Sequence, residues 1–164
     1  MRFLVTGILG FIGSYFARLV LADAETTENP DVSVVGVGRN TDTRNLRRLD
    51  GLWERAGFKL VYCDIARDDV SELFEDVDYA VNFAAKTFVD HSIRDPEPFI
   101  QSNIVGTFRL LEAARKSRQL KRYIQISTDE VYGQILEGAY REDAPLNPRN
   151  PYASTKAAAD MLCL

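Results

Sequence analysis

Thr6-Gly7-Ile8-Leu9-Gly10-Phe11-Ile12-Gly13-Ser14 decides how the rest of the chain is read. It follows the apolar run Arg2-Phe3-Leu4-Val5-Thr6 and precedes Phe11 to Ala24, where apolar residues recur at helical spacing. The order is strand, turn, helix. Gly7, Gly10 and Gly13 stand at i, i+3 and i+6, so the backbone can approach a pyrophosphate and aim free helix N-terminal amides at it. An anion is then held without a basic side chain. The plainer alternative is a tight strand-helix turn with chance glycines. Its position in the first turn of an alternating domain favours the cofactor reading.

Working outward, the alternation continues. Asp31 to Val37 is β-branched and continuous, as a strand covered on both faces should be. Thr41 to Ala56 carries Leu46, Leu49, Leu52 and Trp53 at helical intervals, and after Gly57 the stretch Phe58 to Cys63 is again extended. Arg67 to Phe74 predicts a short helix and Val77 to Ala84 a fourth strand. Ser92 to Lys116 predicts a long helix with Pro96 and Pro98 near its start, and Arg122 to Ser127 a fifth strand. Strict alternation requires right-handed crossovers between parallel strands. The expected fold is therefore α/β, a Rossmann-like doubly wound parallel sheet with helices on both faces, with residues 1–164 forming one dinucleotide-binding domain.

A length of 164 residues supports one core, and 46% hydrophobic with 27% charged residues excludes a disordered chain. A net charge of -4 gives no general attraction to nucleic acid or to an anionic membrane. The glycine-interrupted N-terminus has neither the flanks of a signal peptide nor the length of a membrane span, so a cytoplasmic location is expected. Cys63 and Cys163 match no metal-ligand spacing and read as reduced, buried, structural thiols.

At the end of the second strand an acidic residue ordinarily holds the adenosine ribose hydroxyls. Here the residues are Gly38-Arg39-Asn40. Arg39, with Arg44 nearby, can pair with a 2′-phosphate, or Arg39 can stack on adenine or face solvent, so NAD and NADP both stay open. Asp64, ending the third strand, is placed either to accept from the adenine amino group or to cap a helix.

Tyr152-Ala-Ser-Thr-Lys156 puts a phenol and an ammonium on one helix face after the Asn147-Pro-Arg-Asn-Pro151 loop. A cation beside a phenol lowers its pKa, and the phenolate can take a proton from an alcohol as a nicotinamide takes the hydride. At the end of the fifth strand, Ser127-Thr128-Asp129-Glu130-Val131-Tyr132-Gly133 sets two adjacent acids where α/β sheets present ligands. These acids suit acid/base chemistry, although an isolated Thr-Asp-Glu would be a capping turn.

Taken together, the glycine turn, Ser127 to Gly133 and Asn150-Pro-Tyr-Ala-Ser-Thr-Lys156 resemble the extended short-chain dehydrogenases and, within them, the dTDP-glucose 4,6-dehydratase family. Asn82-Phe-Ala-Ala85, Val89-Asp-His-Ser-Ile93 and Phe99 to Thr107 extend the resemblance over residues 1 to about 160. Thr128-Asp129-Glu130 is its discriminating part, since 4-epimerases of the superfamily usually carry small residues there and decarboxylases and GDP-mannose dehydratases Thr-Ser-Glu. The resemblance implies oxidation of a nucleotide-linked glucose at C4, loss of water across C5 and C6, and return of hydride to C6. Tyr152 with Lys156 would serve the oxidation, Glu130 would remove the C5 proton, and Asp129 would protonate the leaving 6-hydroxyl. Thr128 would hydrogen-bond near O4 and Thr87 would touch the substrate. Phe11, Ile12, Asp64, Ile65, Ala84, Ala85 and Ser102 would line the cofactor beside Gly7, Gly10 and Gly13.

The resemblance also implies a homodimer formed through the long helices, and a substrate lobe beyond Leu164. With Met161-Leu-Cys-Leu164 apolar and lacking a capping glycine, the chain reads as the cofactor half of an enzyme. Two departures stand out: Gly38-Arg39, and Ala85-Lys86-Thr87-Phe88 where the family commonly has Ala-Glu-Ser/Thr-His. Lys86 alters substrate preference or faces solvent, and the lone His91 reads as a surface residue. The competing expectations are a 4-epimerase or decarboxylase of the same superfamily, and a non-catalytic dinucleotide-binding module.

Overall fold

A computed structural model describes residues 1–29, 31–39 and 43–164, with only the backbone of Thr43 and Arg44. Five strands form one parallel sheet: β1 (Arg2–Thr6), β2 (Ser33–Gly38), β3 (Phe58–Tyr62), β4 (Tyr79–Asn82) and β5 (Arg122–Gln125), in the order β3-β2-β1-β4-β5. From β1 the chain steps outward to β2 and β3, then returns across the sheet to lay β4 on the other side of β1. The direction reverses between β1 and β4. A crevice opens at such a switch point, outside the carboxyl ends of the strands.

Strand residues alternate between two cores, as a two-residue period requires. Leu4, Val35, Val37 and Ala80 face one side, where they pack with Phe74, Leu110 and Ala113. Val5 and Val34 face the other, against Ile8, Ala17 and Leu21. Helix α1 (Phe11–Thr26) covers this second face. Its approach depends on Gly36, where a Cβ would stand 2.5 Å from Ile8 Cγ1. No larger residue at 36 would let Ile8 seat.

The remaining helices differ from the periodicity in instructive ways. The helix predicted over 41–56 is, among the described residues, a 3-10 turn at Thr43–Leu49 followed by turns, with Gly51 at φ +79. Leu46, Leu49 and Leu52 are spaced by three, which suits three residues per turn as well as an α-helix. Leu49 and Leu52 still reach the core fully buried, while Trp53 stays half exposed. Over 67–74 only Ser71–Phe74 winds, again as 3-10.

The long helix predicted from Ser92 is interrupted. Helix α2 (Val89–Arg94) ends at Asp95, which is extended at φ -146 and ψ 88 because the residue before Pro96 is disfavoured in helical geometry. Winding resumes at α3 (Glu97–Phe99), loosens to a π stretch at Ile100–Val105 and tightens again in α4 (Gly106–Lys116). Helix α5 (Pro151–Leu162) begins where the sequence places it, with Pro151 in the first turn. Cys63 is buried as expected, but Cys163 is exposed past the end of α5. No described helix is long and apolar enough to cross a membrane.

Asp78 ties the amino ends of three strands together. Its carboxylate accepts from the Arg2 N–H and from Lys121 Nζ, both at 2.8 Å. Those two hydrogen bonds, Lys121 first, hold its pKa below the usual carboxylate value. A carboxyl whose pKa is lower folded than unfolded stabilises the fold above its unfolded value, near ~4, and that contribution disappears as pH falls through the folded value. Asp78→Asn should therefore lower the urea midpoint at pH 7, with the deficit shrinking as pH falls below about 4. An equal deficit at both pH values would contradict this assignment.

Candidate functional site

The first βα turn fixes the site. Gly7 has φ +66, and a Cβ there would lie 2.7 Å from the Phe83 carbonyl carbon and the Ala84 nitrogen. The exits of β1 and β4 thus pass backbone against backbone, and only glycine permits it. Gly13 is equally constrained, its notional Cβ falling 2.6 Å from Gly7 O. Gly10, the N-cap of α1, is extended and no side chain caps the helix, while Phe11 and Ile12 stand largely exposed in its first turn. The N-terminal amides of a 16-residue helix therefore open into the crevice with their dipole.

A buried polar network sets the floor. Thr6 Oγ1 donates to Asn82 Oδ1, and the Ala84 N–H donates to both Thr6 Oγ1 and Asn82 Oδ1 at 3.2 Å. Asn82 Nδ2 donates to Gln125 Oε1 at 2.8 Å and to Thr107 Oγ1 at 3.3 Å. Tyr123 completes it by donating to Gln125 Oε1 at 3.1 Å, its phenol pushed well up by burial. The carboxyl ends of β1, β4 and β5 are thereby locked to one another and to α4.

Two adjoining clefts result. One, of about 280 Å³, is lined by Gly7, Gly10, Arg39, Asp64, Ile65, Ala84, Ala85 and Ser102. Another holds Gly7, Gly10, Phe11, Ile12, Gly13, Ala85, Thr87, Tyr152 and Lys156. Every residue expected around a dinucleotide is brought together except Asn40, which lies outside the described residues, as does the side chain of Arg44. The residues fit such a group: the clefts run from the end of β2 past an uncapped helix N-terminus to Tyr152, a course matching adenosine, pyrophosphate and nicotinamide. Asp64 Oδ1 accepts from the Ala66 N–H at 3.0 Å, so one carboxylate oxygen caps the following turn while Oδ2 lies 4.0 Å from Arg39 Nη1 in the cleft wall. Both expectations for Asp64 are compatible with that geometry.

Tyr152 and Lys156 lie on one buried face of α5, as their spacing requires. The electrostatics correct the expected lowering of the phenol. Burial raises the Tyr152 pKa, the Thr128 hydroxyl opposes this, and Glu130 and Asp129 raise it further. Lys156 turns its ammonium to the Ile126 carbonyl, and burial pushes its own pKa down. A phenol out of water and beside two acids resists ionisation, so in the chain alone Tyr152 is held protonated.

Thr128, Asp129 and Glu130 stand on a 3-10 turn at Asp129–Tyr132, where Thr128 Oγ1 accepts from the Glu130 N–H at 3.4 Å. Sequence reasoning missed the residues that join this turn to α5. Asn150 Oδ1 accepts from the Ala153 N–H and Asn150 Nδ2 donates to Glu130 Oε2, both at 2.8 Å. One side chain thus caps α5 and holds the acid. Ser127 donates to the Asp160 carboxylate, and Ser92 Oγ accepts from the Tyr152 N–H at 3.1 Å. Asn103, on the π stretch, accepts from Lys86 N–H at 2.8 Å and donates to Lys86 O and Thr155 Oγ1 at 3.0 Å. The signals for these in the sequence were the Asn-Pro pair at 150–151, which marks a cap, and Asn82 within an apolar run. Lys86 is half buried and His91 is exposed, stacked on Phe88 with centroids 5.3 Å apart.

Fold and site together define a Rossmann-like α/β domain with a glycine turn, a Tyr/Lys helix and an acidic turn at its clefts. A sequence model of the family described as GDP-mannose 4,6 dehydratase matches residues 4–164, and the chain belongs to that family. The low-salt glycan biosynthesis protein Agl12 of Haloferax volcanii is 46% identical over 163 residues, covering 99% of this chain and 50% of that protein. A dTDP-glucose 4,6-dehydratase of Streptomyces niveus is 42% identical over 165 residues, covering 100% of this chain and 48% of that one. The chain spans about half the length of these curated relatives. Among solved structures, the dTDP-glucose 4,6-dehydratase DesIV from Streptomyces venezuelae with NAD bound superposes with a TM-score of 0.83 at 37% identity, over 99% of this chain and 50% of that one. UDP-glucuronic acid 4-epimerase from Bacillus cereus, in complex with UDP-glucuronic acid and NAD, gives 0.89 at 33% identity, over 99% and 51%.

Asn150→Ala should lower the urea-unfolding free energy by about 1 kcal/mol through loss of the cap, and Asn150→Ser, which can still cap, should recover most of it. A serine variant as unstable as the alanine one would show that capping is not what Asn150 contributes.

Proposed function

We propose that this chain carries the cofactor site and the reacting side chains of a nucleotide-sugar 4,6-dehydratase, with dTDP-glucose as substrate and a 4-keto-6-deoxy sugar as product. The observation that carries this reading is the link from Asn150 to Glu130, which fixes the acidic turn against the helix bearing Tyr152. A bound nicotinamide dinucleotide would supply the hydride acceptor and, at the end, the same hydride as donor. Tyr152 takes the proton of the C4 hydroxyl, and because the phenol is held protonated in the chain alone, its activation depends on the loaded site. The C4 ketone acidifies the C5 hydrogen. Glu130 removes that proton, Asp129 protonates the C6 hydroxyl so that it leaves as water, Glu130 gives a solvent-exchanged proton back to C5 when hydride returns to C6, and Thr128 and Thr87 hydrogen-bond the sugar. Lys156, bonded to Ile126 O, anchors α5 against the end of β5.

The fold match to a 4-epimerase supports a second reading, in which the cleft serves C4 oxidation alone. The paired acids Asp129 and Glu130 favour the dehydratase, since epimerisation needs no acid for a leaving hydroxyl. A third reading keeps dinucleotide binding without turnover. A cytoplasmic location and a homodimer joined through the helical segments 92–116 and 152 onward complete the proposal, the dimer supported by the exposed apolar side chains of Ile100, Phe108 and Met161.

Incubation of the chain with dTDP-glucose in D2O, followed by mass spectrometry, should show loss of one water and retention of one deuterium. Asp129→Asn should slow water loss by about 100-fold while sparing C4 oxidation. Unchanged elimination in that variant would overturn the acid assignment, and dinucleotide binding without any turnover would favour the non-catalytic reading.

A further inference from the structure

A cleft of about 450 Å³ lies along α2, lined by Lys86, Phe88, His91, Arg94, Asp95 and Pro98 among others. It meets the cofactor cleft at Arg39 and Ala85, but its own wall stands on the other side, on α2 and the segment before it. Phe88 directly precedes the helix and is 71% exposed, its ring stacked on the His91 imidazole with centroids 5.3 Å apart and planes inclined by 29°. The stack leaves most of the Phe88 ring in water. A ring so placed at the mouth of a cleft gains by taking a further flat partner.

Two cations flank the rings. His91 and Arg94 are three residues apart on α2 and share one face of it, whereas Ser92 points inward to the Tyr152 N–H. Lys86 is set in place from within, since the buried Asn103 bonds both its N–H and its carbonyl. Among the described residues, neither the Lys86 ammonium nor the Arg94 guanidinium has a hydrogen-bond or ion-pair partner. Asp95 is the one carboxylate among the described lining residues, in a chain whose net charge is -4. Lys86 and Phe88 belong to the stretch that departs from the family pattern, so this wall is the chain's own.

An aromatic face and two unpaired cations in one cleft match a base joined to a diphosphate. Thr87 lines both this cleft and the one holding Tyr152, so a sugar at Tyr152 is continuous with a nucleotide along α2. Resting on the reading of the chain as part of a nucleotide-sugar enzyme, we propose that the α2 cleft binds the nucleoside diphosphate of that substrate, its base stacked on Phe88 and its phosphates held by Lys86 and Arg94. The guanidinium takes one phosphate through its fork, and the ammonium acts as a point charge. Stacking accepts any base, so the wall selects a nucleotide without selecting which one.

Isothermal titration of the chain with dTDP, dTDP-glucose and inorganic pyrophosphate, with and without NAD+, tests the assignment. dTDP should bind one-to-one, unaffected by NAD+, and at least about tenfold more tightly than pyrophosphate. Phe88→Ala should weaken dTDP about tenfold and leave pyrophosphate unchanged, while Arg94→Ala and Lys86→Gln should weaken both. Phe88→Trp, which keeps a stacking face, should bind dTDP as the unaltered chain does. Displacement of dTDP by NAD+ would overturn the inference by placing the nucleotide in the cofactor cleft, and absence of dTDP binding would overturn it outright. dTDP-glucose bound equally well by Phe88→Ala and Arg94→Ala would overturn the α2 site and leave the nucleotide-sugar reading standing. Binding of dTDP through Phe88 and Arg94 with dTDP-glucose rejected would overturn that reading instead, leaving a site for free nucleotide.

Discussion

The backbone crossing between the exits of β1 and β4 is the constraint from which the site follows. With Gly7 at positive φ against Phe83 and Ala84, the chain leaves β1 close enough to β4 for Thr6 and Asn82 to share a hydrogen bond beneath it. That closeness is also what orients α1. Its first turn must pass over the crossing, so its amides face the crevice at the point where strand order reverses. A side chain at position 7 would separate the two strand exits and misdirect the helix in one step.

Stability and function are joined at the same places. Asn82, Thr107 and Asn103 are almost wholly buried polar residues. Each would be costly if left unpaired, since a buried donor or acceptor without a partner loses roughly 1–3 kcal/mol. Each is bonded to groups that shape the clefts: Asn82 to the exits of β1 and β5, Asn103 to Lys86 and to Thr155 on α5. The π stretch in which Asn103 sits brings that side chain inward, the use to which such local widenings are often put. The acidic turn is held in the same manner through Asn150. Polar networks of this kind give the cleft walls one arrangement where apolar packing alone would allow several.

Much of this was legible in the sequence. The glycine spacing, the strand alternation and the Tyr152/Lys156 pair all reflect local rules of backbone and period, and they placed the five strands, their parallel arrangement and the residues that meet at the two clefts. What escaped was tertiary. The spacing of Leu46, Leu49 and Leu52 cannot distinguish an α-helix from a 3-10 turn, because either puts three leucines on one side. Pro96 was compatible with a helix start, but its effect fell on Asp95, one residue earlier. The direction of the Tyr152 shift depends on which groups surround the phenol after folding: the four-residue spacing to Lys156 is local, whereas Asp129 and Glu130 arrive on the turn that follows β5. Asn150 as the tether of Glu130 lies beyond any sequence rule, since it joins residues 20 apart through a loop.

The central claim is that the uncapped start of α1 receives the pyrophosphate of a dinucleotide lying across the crossing of β1 and β4. Amide chemical shifts recorded during titrations with NAD+ and with NADP+ test it most directly. The account predicts saturable shifts at Gly10 to Gly13 together with Ala84 and Ala85, all following one binding curve. Saturation elsewhere on the chain, with the amides of Gly10 to Gly13 unmoved, would contradict it.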